Sequence, residues 1–284
     1  MADNIRTLLR MFKIYGRMDV LWFLRDTRYC LLQMASDLVS AAASSAGVFI
    51  LARKFNGFGN MSEGQILFML AYAMLIDGLY MLFFGSSNTG QISRVIGRGQ
   101  LDHNMIQPVP LLTQLLTEGF SPISCTSIFF FGVGLAAYAL NQLAFPVTFG
   151  WLLALAASLF ASLTVMLAVI YILSCLAFLA PAAAEEIAST TKGMFSSLQV
   201  YPLSGVAPLW KTVFCTLVPV GLAAWFPSMT LMGIDAGSPD IVFFPPLTGA
   251  VAAVLVLAAT IIFRKGMKHY AISGSPRYTG FGHR

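Results

Sequence analysis

GQISRVIGRGQLDHNMIQPVPLL, residues Gly90–Leu112, lies between two apolar runs long enough to cross a bilayer, yet it holds three glycines, two arginines, a histidine and two prolines. Ile92, Val95 and Ile96 fall on one side of a short helix, and Arg94 and Arg98 share another face at i, i+4 spacing. Gly97 and Gly99 break that helix, and Asp102 is placed to N-cap a second short turn through His103–Ile106. Pro108 and Pro110 stop the turn, because proline donates no hydrogen bond and clashes with the preceding helical turn. The expectation is a docking element over Gln91–Ile106, with Ile92, Val95 and Ile96 entering a partner's groove and the arginines meeting acid at its edge. A solvated loop is the alternative.

Composition sets the class around this stretch. Hydrophobic residues make up 57% of the 284 and charged residues 10%, well under the ~25% charged that soluble domains carry. Several apolar runs of about 20 residues then describe a polytopic, all-α membrane protein. The net charge of +5 reports orientation rather than nucleic-acid affinity, since cytoplasmic loops retain Lys and Arg. No cleavable signal peptide is expected, because the first residues are charged throughout. The four cysteines lie in or beside apolar runs without a CxxC and are expected to be packing residues.

Taken in order, residues 1–29 read as an interfacial amphipathic helix. Ile5, Leu8, Leu9, Phe12 and Tyr15 form its apolar face, and Arg6, Arg10, Lys13 and Arg17 its basic one. A partner-binding helix is the competing reading. Six spans follow, at about 30–52, 65–84, 123–140, 151–179, 213–226 and 247–263. The first contains a small-residue run, Ala41–Gly47, that permits close helix approach. Pro181–Gln199 reads as a cytoplasmic helical extension with Glu185 and Glu186 near its positive end. With both termini cytoplasmic, 15 of the 17 Lys and Arg lie inside and only Arg53 and Lys54 outside. The whole of 1–284 is read as a single transmembrane domain.

Gly99-Gln100-Leu101-Asp102, followed by Ile106-Gln107-Pro108, resembles the G-E-L-D…L-R-P core of bacterial ABC-2 type permeases. His269-Tyr270-Ala271-Ile272-Ser273-Gly274 is similar to that family's closing Y-x-S-x-G. Gln100 stands for the usual Glu and Gln107 for the usual Arg. The resemblance implies a transmembrane subunit of an ATP-driven exporter in the bacterial inner membrane, with 88–112 as its cytoplasmic coupling loop. Ile92, Arg94, Val95, Ile96, Arg98, Gly99 and Asp102 would then carry ATPase docking. It also implies two copies of a separate ATPase and a second permease (or a copy of this chain) as partners, besides membrane lipid. Residues 227–246 resemble the extracellular re-entrant segment that such permeases place between their last two spans, with an ordinary loop as the alternative. Substrates of this class are amphipathic: drugs, peptide antibiotics, lipids or lipid-linked glycans.

Catalytic signatures are missing from the sequence. There is no GxxxxGK[ST], no HExxH, no Cys/His cluster and no GxSxG. No catalytic, cofactor or metal residues are therefore assigned to this chain, and ATP and Mg belong to the partner ATPase. Two carboxylates, Asp37 and Asp77, fall within spans, where charge is costly, so each should face water or the bundle interior. Pairing with a hydroxyl or with an arginine of a partner chain is one reading. A proton relay is the other, which would make the chain a proton-coupled secondary transporter.

Overall fold

The computed structural model describes residues 2–55, 57–85, 92–233 and 247–274. Gly90, Gln91, most of the 227–246 segment, and Arg277, His283 and Arg284 of the tail lie outside the described residues. Among those described, the chain is built of α-helices and short 3-10 turns, with only an isolated bridge between Phe58 and Met61.

Helix α1 (Ala2–Arg25) breaks at Asp26, and α2 (Thr27–Lys54) follows. α3 (Glu63–Phe84) starts with a capping box: the backbone N–H of Ser62 donates to Gln65 Oε1 at 2.8 Å. Its sequence is apolar on every side, and such a helix belongs in the interior. Fourteen of its residues are buried, and the core forms around it. α7 (Ser127–Gln142) packs closest against α3, because glycines remove the side chains that would hold the two backbones apart. A Cβ on Gly78 would lie 2.5 Å from the Phe129 backbone, and one on Gly132 3.0 Å from Leu75 N. α8 (Phe149–Ser174) closes the core, with Ser162 Oγ 3.0 Å from Tyr72 OH.

Among the described residues four helices are long and apolar enough to cross a membrane, α2, α3, α8 with its 3-10 extension to Phe178, and α12 (Leu247–Ser273), and a bent pair would make a fifth span if it crosses as one. The fifth expected span, 213–226, falls in a bent pair of helices that is either a broken span or a re-entrant loop. The chain there forms α10 (Pro208–Thr216), a 3-10 turn at Pro219–Leu222 and α11 (Trp225–Leu231), bent by 74° at the break. Pro219 is the physical cause, because its ring fixes φ and removes the N–H that would continue the helix. The later part of the stretch is folded into the core, where Trp225 and Phe226 are buried and Trp225 Nε1 donates to Ser204 Oγ at 2.9 Å, while Leu209, Trp210 and Leu217 on the α10 side stay exposed.

The segment expected as a cytoplasmic extension forms a helix that packs along the core. α9 (Ala184–Gln199) starts beside α4 (Ile92–Gly97) and passes along α3, where Ser196 and Gln199 reach Asp77. It leads to Ser204, whose backbone lies against Gly59 in the turn between α2 and α3. One end of the molecule thus gathers α1, α4, α5 (Leu101–Met105), α6 (Leu111–Thr117) and the end of α12. The opposite end gathers the 57–62 turn, α10 and α11, so Lys211 joins Arg53 and Lys54 there.

At the first end α1 is pinned by Asp19, which is buried and accepts from the Ile123 N–H at 2.8 Å, the Ser124 N–H at 3.2 Å and the Ser124 hydroxyl at 2.6 Å. Phe12 meets the rings of Phe83 and Phe120. Leu8 and Tyr15 are half-buried on the same side, while Ile5 and Leu9 of the expected apolar face stay exposed.

Candidate functional site

The stretch after α3 forms α4 and α5 as the glycines and the apolar spacing require. Gly99 has φ +64, in the left-handed region, and turns the chain between the two short helices. Asp102 is not the cap of the second helix: α5 begins at Leu101, Asp102 lies in its first turn, and Gln100 occupies the cap position without a side-chain bond.

The apolar face of α4 points into this chain. Ile92, Val95 and Ile96 are 0, 3 and 1% exposed and belong to a cluster with Leu101, Phe178, Ala184 and Tyr270. The expectation that these three enter a partner's groove is therefore corrected. The end of α8, the start of α9 and the end of α12 already offer an apolar socket, and α4 fills it. Gly97 makes the fit possible: a Cβ there would overlap the Ala184 side chain and lie 2.8 Å from Pro181 O.

Arg94 and Arg98 are likewise engaged within the chain. Glu185 takes both: Arg94 Nε lies 2.6 Å from Oε2, and Arg98 Nη2 and Nε lie 2.7 and 2.8 Å from Oε1. What this element leaves to solvent is Arg98, Gln100, His103, Met105, Ile106 and Gln107, with Ile106 80% exposed. Beneath α5 and α6, burial pushes the Glu118 carboxyl above its usual value, and the charge of His103 partly opposes that. Burial and then Glu118 also raise the Tyr15 hydroxyl.

The two intramembrane carboxylates line one polar cavity of about 430 Å³ between α2, α3 and α9. Asp77 Oδ1 accepts from Ser196 Oγ at 2.8 Å and Oδ2 from Gln199 Nε2 at 2.7 Å, with Lys192 Nζ 4.0 Å away. Lys192 also sits 5.9 Å from the Tyr80 ring centroid. Asp37 accepts from Gln33 Nε2 at 3.0 Å, one turn away on its own helix. The hydroxyl partner expected for a buried carboxylate is thus present for Asp77, on a helix expected to lie elsewhere. Lys192, Ser196 and Gln199 were not singled out as its partners from sequence. The signal was there, since with Glu185 they fall at spacings of seven, four and three, a single polar stripe along α9.

These features define a polytopic helical membrane protein with a polar cavity inside its bundle and a folded element at one end. The chain belongs to the ABC-2 transporter family: the profile described as "ABC-2 family transporter protein" matches residues 38–274. Among curated proteins and solved structures no match is found. Membership makes the chain a membrane permease subunit that associates with an ABC ATPase and carries transport, not hydrolysis. The two stretches that resemble the family's short motifs, far apart in sequence, meet in space: Leu101 and Tyr270 are buried in the same cluster as α4.

Proposed function

We propose that this chain is one transmembrane subunit of an ATP-driven exporter of amphipathic molecules in a bacterial inner membrane, forming a single domain with both termini on the ATPase side. The observation that carries this reading is the seating of α4 and α5. A hairpin-like element is anchored by buried Ile92, Val95 and Ile96 into the ends of α8, α9 and α12. It presents Arg98, His103, Met105 and Ile106 outward, and those exposed groups are the docking surface for the ATPase. Gly99 sets the turn between the two halves.

The crossings in this reading are α2, α3, α7, α8, α9 and α12, six in all, with α10 and α11 as a re-entrant pair at the outer end. α9 replaces 213–226 as the fifth. It is short and polar for a crossing, at about 24 Å for its 16 residues. A helix this polar is stable at membrane depth only where its polar groups face partners or water, which the Asp77 contacts and the cavity provide.

A second permease, different or identical, would cover α2. Only 11% of the most apolar window of α2 is buried, and a Cβ on Gly47 would meet nothing within 4 Å. Small residues left open in this way suit close contact between helices of two subunits. The assembly expected is this chain, a second permease and two ATPase copies.

The test is transport by the purified complex in proteoliposomes. Efflux of an amphipathic dye that needs ATP, and is indifferent to a pH gradient, supports the reading. Efflux that follows a pH gradient without ATP would instead make Asp37 and Asp77 a proton relay and overturn it.

A further inference from the structure

The polar cavity between α2, α3 and α9 has a neighbour. A second cavity of about 420 Å³ lies at the outer end, walled mainly by Phe58, Leu198, Phe214, Val220 and Trp225. Tyr201, just beyond α9, lines both. Each volume falls in the ~300–1,000 Å³ range of small-molecule sites. One compartment is lined by polar and apolar surface in near-equal parts and the other is mostly apolar, and they adjoin at the end of a single helix.

Two observations describe what such a pair would hold. The first is charge. Asp37, Asp77 and Lys192 are the charged side chains lining the polar cavity. Lys192 stands beside Asp77, which also takes hydrogen bonds from Ser196 and Gln199. Asp37 is paired only with the neutral Gln33 amide among the described contacts. One negative charge is thus left over, rimmed by hydroxyls of Ser40 and Ser44. The second is an unused acceptor. Gln199 is 1% exposed and lines the apolar cavity, and its Oε1 has no hydrogen-bond partner. The amide cannot be turned to hide that oxygen, because its nitrogen must face the Asp77 carboxylate. A buried acceptor without a donor costs free energy until something supplies an N–H or O–H.

We propose that the two cavities are one bipartite site for a cationic amphiphile. An ammonium head binds beside Asp37, a hydroxyl or amide N–H near the head donates to Gln199 Oε1, and the apolar chain lies against Phe214, Val220 and Trp225. This names a substrate class for the transporter and rests on the permease reading for its role in export, although binding itself does not require transport. Anionic amphiphiles are disfavoured by the residual charge. A neutral alcohol of the same chain keeps the apolar contacts and loses the ionic one.

The experiment is photolabelling of the full chain in phosphatidylcholine nanodiscs. The probes are a dodecylamine and a dodecanol, each carrying a diazirine at the chain end, and labelled peptides are located by mass spectrometry. The amine should label the α10–α11 stretch around Phe214–Trp225. Asp37→Asn, which keeps the Gln33 contact, should cut that labelling by roughly tenfold, as expected for loss of a charge-assisted contact. The same variant should leave dodecanol labelling unchanged, which also shows that it is folded. Val220→Phe, which fills the apolar cavity, should reduce labelling by both probes. Amine labels spread over the lipid-facing sides of α2 and α12, or amine labelling indifferent to Asp37→Asn, overturns the site. If labelling behaves as stated while efflux of the amine needs no ATP, the site stands and the permease reading fails. If ATP-driven efflux is found without this labelling pattern, the reverse holds.

Discussion

Ile96 and Ile106 lie ten positions apart in the same stretch and should exchange the roles their sequence suggests. Ile96 is 1% exposed and packs in the cluster of α4, Phe178 and Tyr270, whereas Ile106 is 80% exposed at the end of α5. Truncating a buried isoleucine to alanine removes transfer free energy and leaves a cavity, together ~2–5 kcal/mol. The same change at an exposed position away from special features stays within ~0.5 kcal/mol. Ile96→Ala should therefore lower the thermal unfolding midpoint of the detergent-solubilised chain by several degrees, with or without ATPase present. Ile106→Ala should leave that midpoint unmoved, and Ile106→Asp should abolish co-purification of the ATPase by placing a charge at the centre of the docking surface. The assay pairs fluorescence-detected size exclusion after heating with pull-down of the tagged chain. An Ile96→Ala protein as heat-stable as the parent but unable to hold its ATPase would refute this assignment, as would an Ile106→Asp protein that assembles normally.

Three further outcomes follow from packing and charge. Gly78→Ala forces a Cβ to 2.5 Å from the Phe129 backbone, so α3 and α7 must separate at a cost of ~1–3 kcal/mol. Its monodisperse yield should fall, while Gly134→Ala, whose Cβ meets nothing within 4 Å, should express as the parent does; equal yields would contradict the close approach. Asp19→Ala removes the acceptor used by all three groups, leaves buried N–H groups unpaired and should cost ~1–3 kcal/mol, read as a lower thermal midpoint. An unchanged midpoint would mean that α1 is held some other way. Glu118 has its carboxyl raised by burial, so folding favours its protonated form. Its contribution is full below the ordinary carboxylate value and is lost as pH climbs through the raised one. Glu118→Gln should therefore flatten that part of the stability–pH curve and be at least as stable as the parent at neutral pH; a variant less stable there has lost a contact the charge was making.

Much of the architecture was legible where one local rule dominated. α2, α3 and α12 begin within about three residues of the expected spans because long apolar runs have one solution in a bilayer, and Gly99 marks a turn because it takes a positive φ. Less was legible where two rules competed. Residues 213–226 satisfy the hydropathy rule, yet Pro219 breaks the helix and bends the stretch into a pair, a shape that hydropathy does not reveal. α9 carries a polar stripe that is met by Asp77 on α3, a pairing that hydropathy does not weigh. The inward face of α4 could not be told from an outward docking face by periodicity alone. Both need the same apolar spacing, and only the socket made by Phe178, Ala184 and Tyr270 decides between them.

That socket bears on how the two ends of α9 are connected. The ion pairs of Arg94 and Arg98 with Glu185 are part-exposed, with side-chain exposures of 32, 58 and 54%. Pairs of that kind are each worth at most ~1 kcal/mol. Burial of Ile92, Val95 and Ile96 is worth ~1.5–3 kcal/mol for each, so apolar contact, not charge, fixes α4 to its neighbours. The arginines set its orientation, and Gly97 lets it approach Ala184 without a gap. Moving α4 in any direction opens this cluster, because Cys175 and Phe178 at the end of α8, Ala184 of α9 and Tyr270 of α12 all close on it. A continuous helix of about 21 Å then joins Glu185 to Gln199, and Gln199 holds Asp77 at the cavity wall.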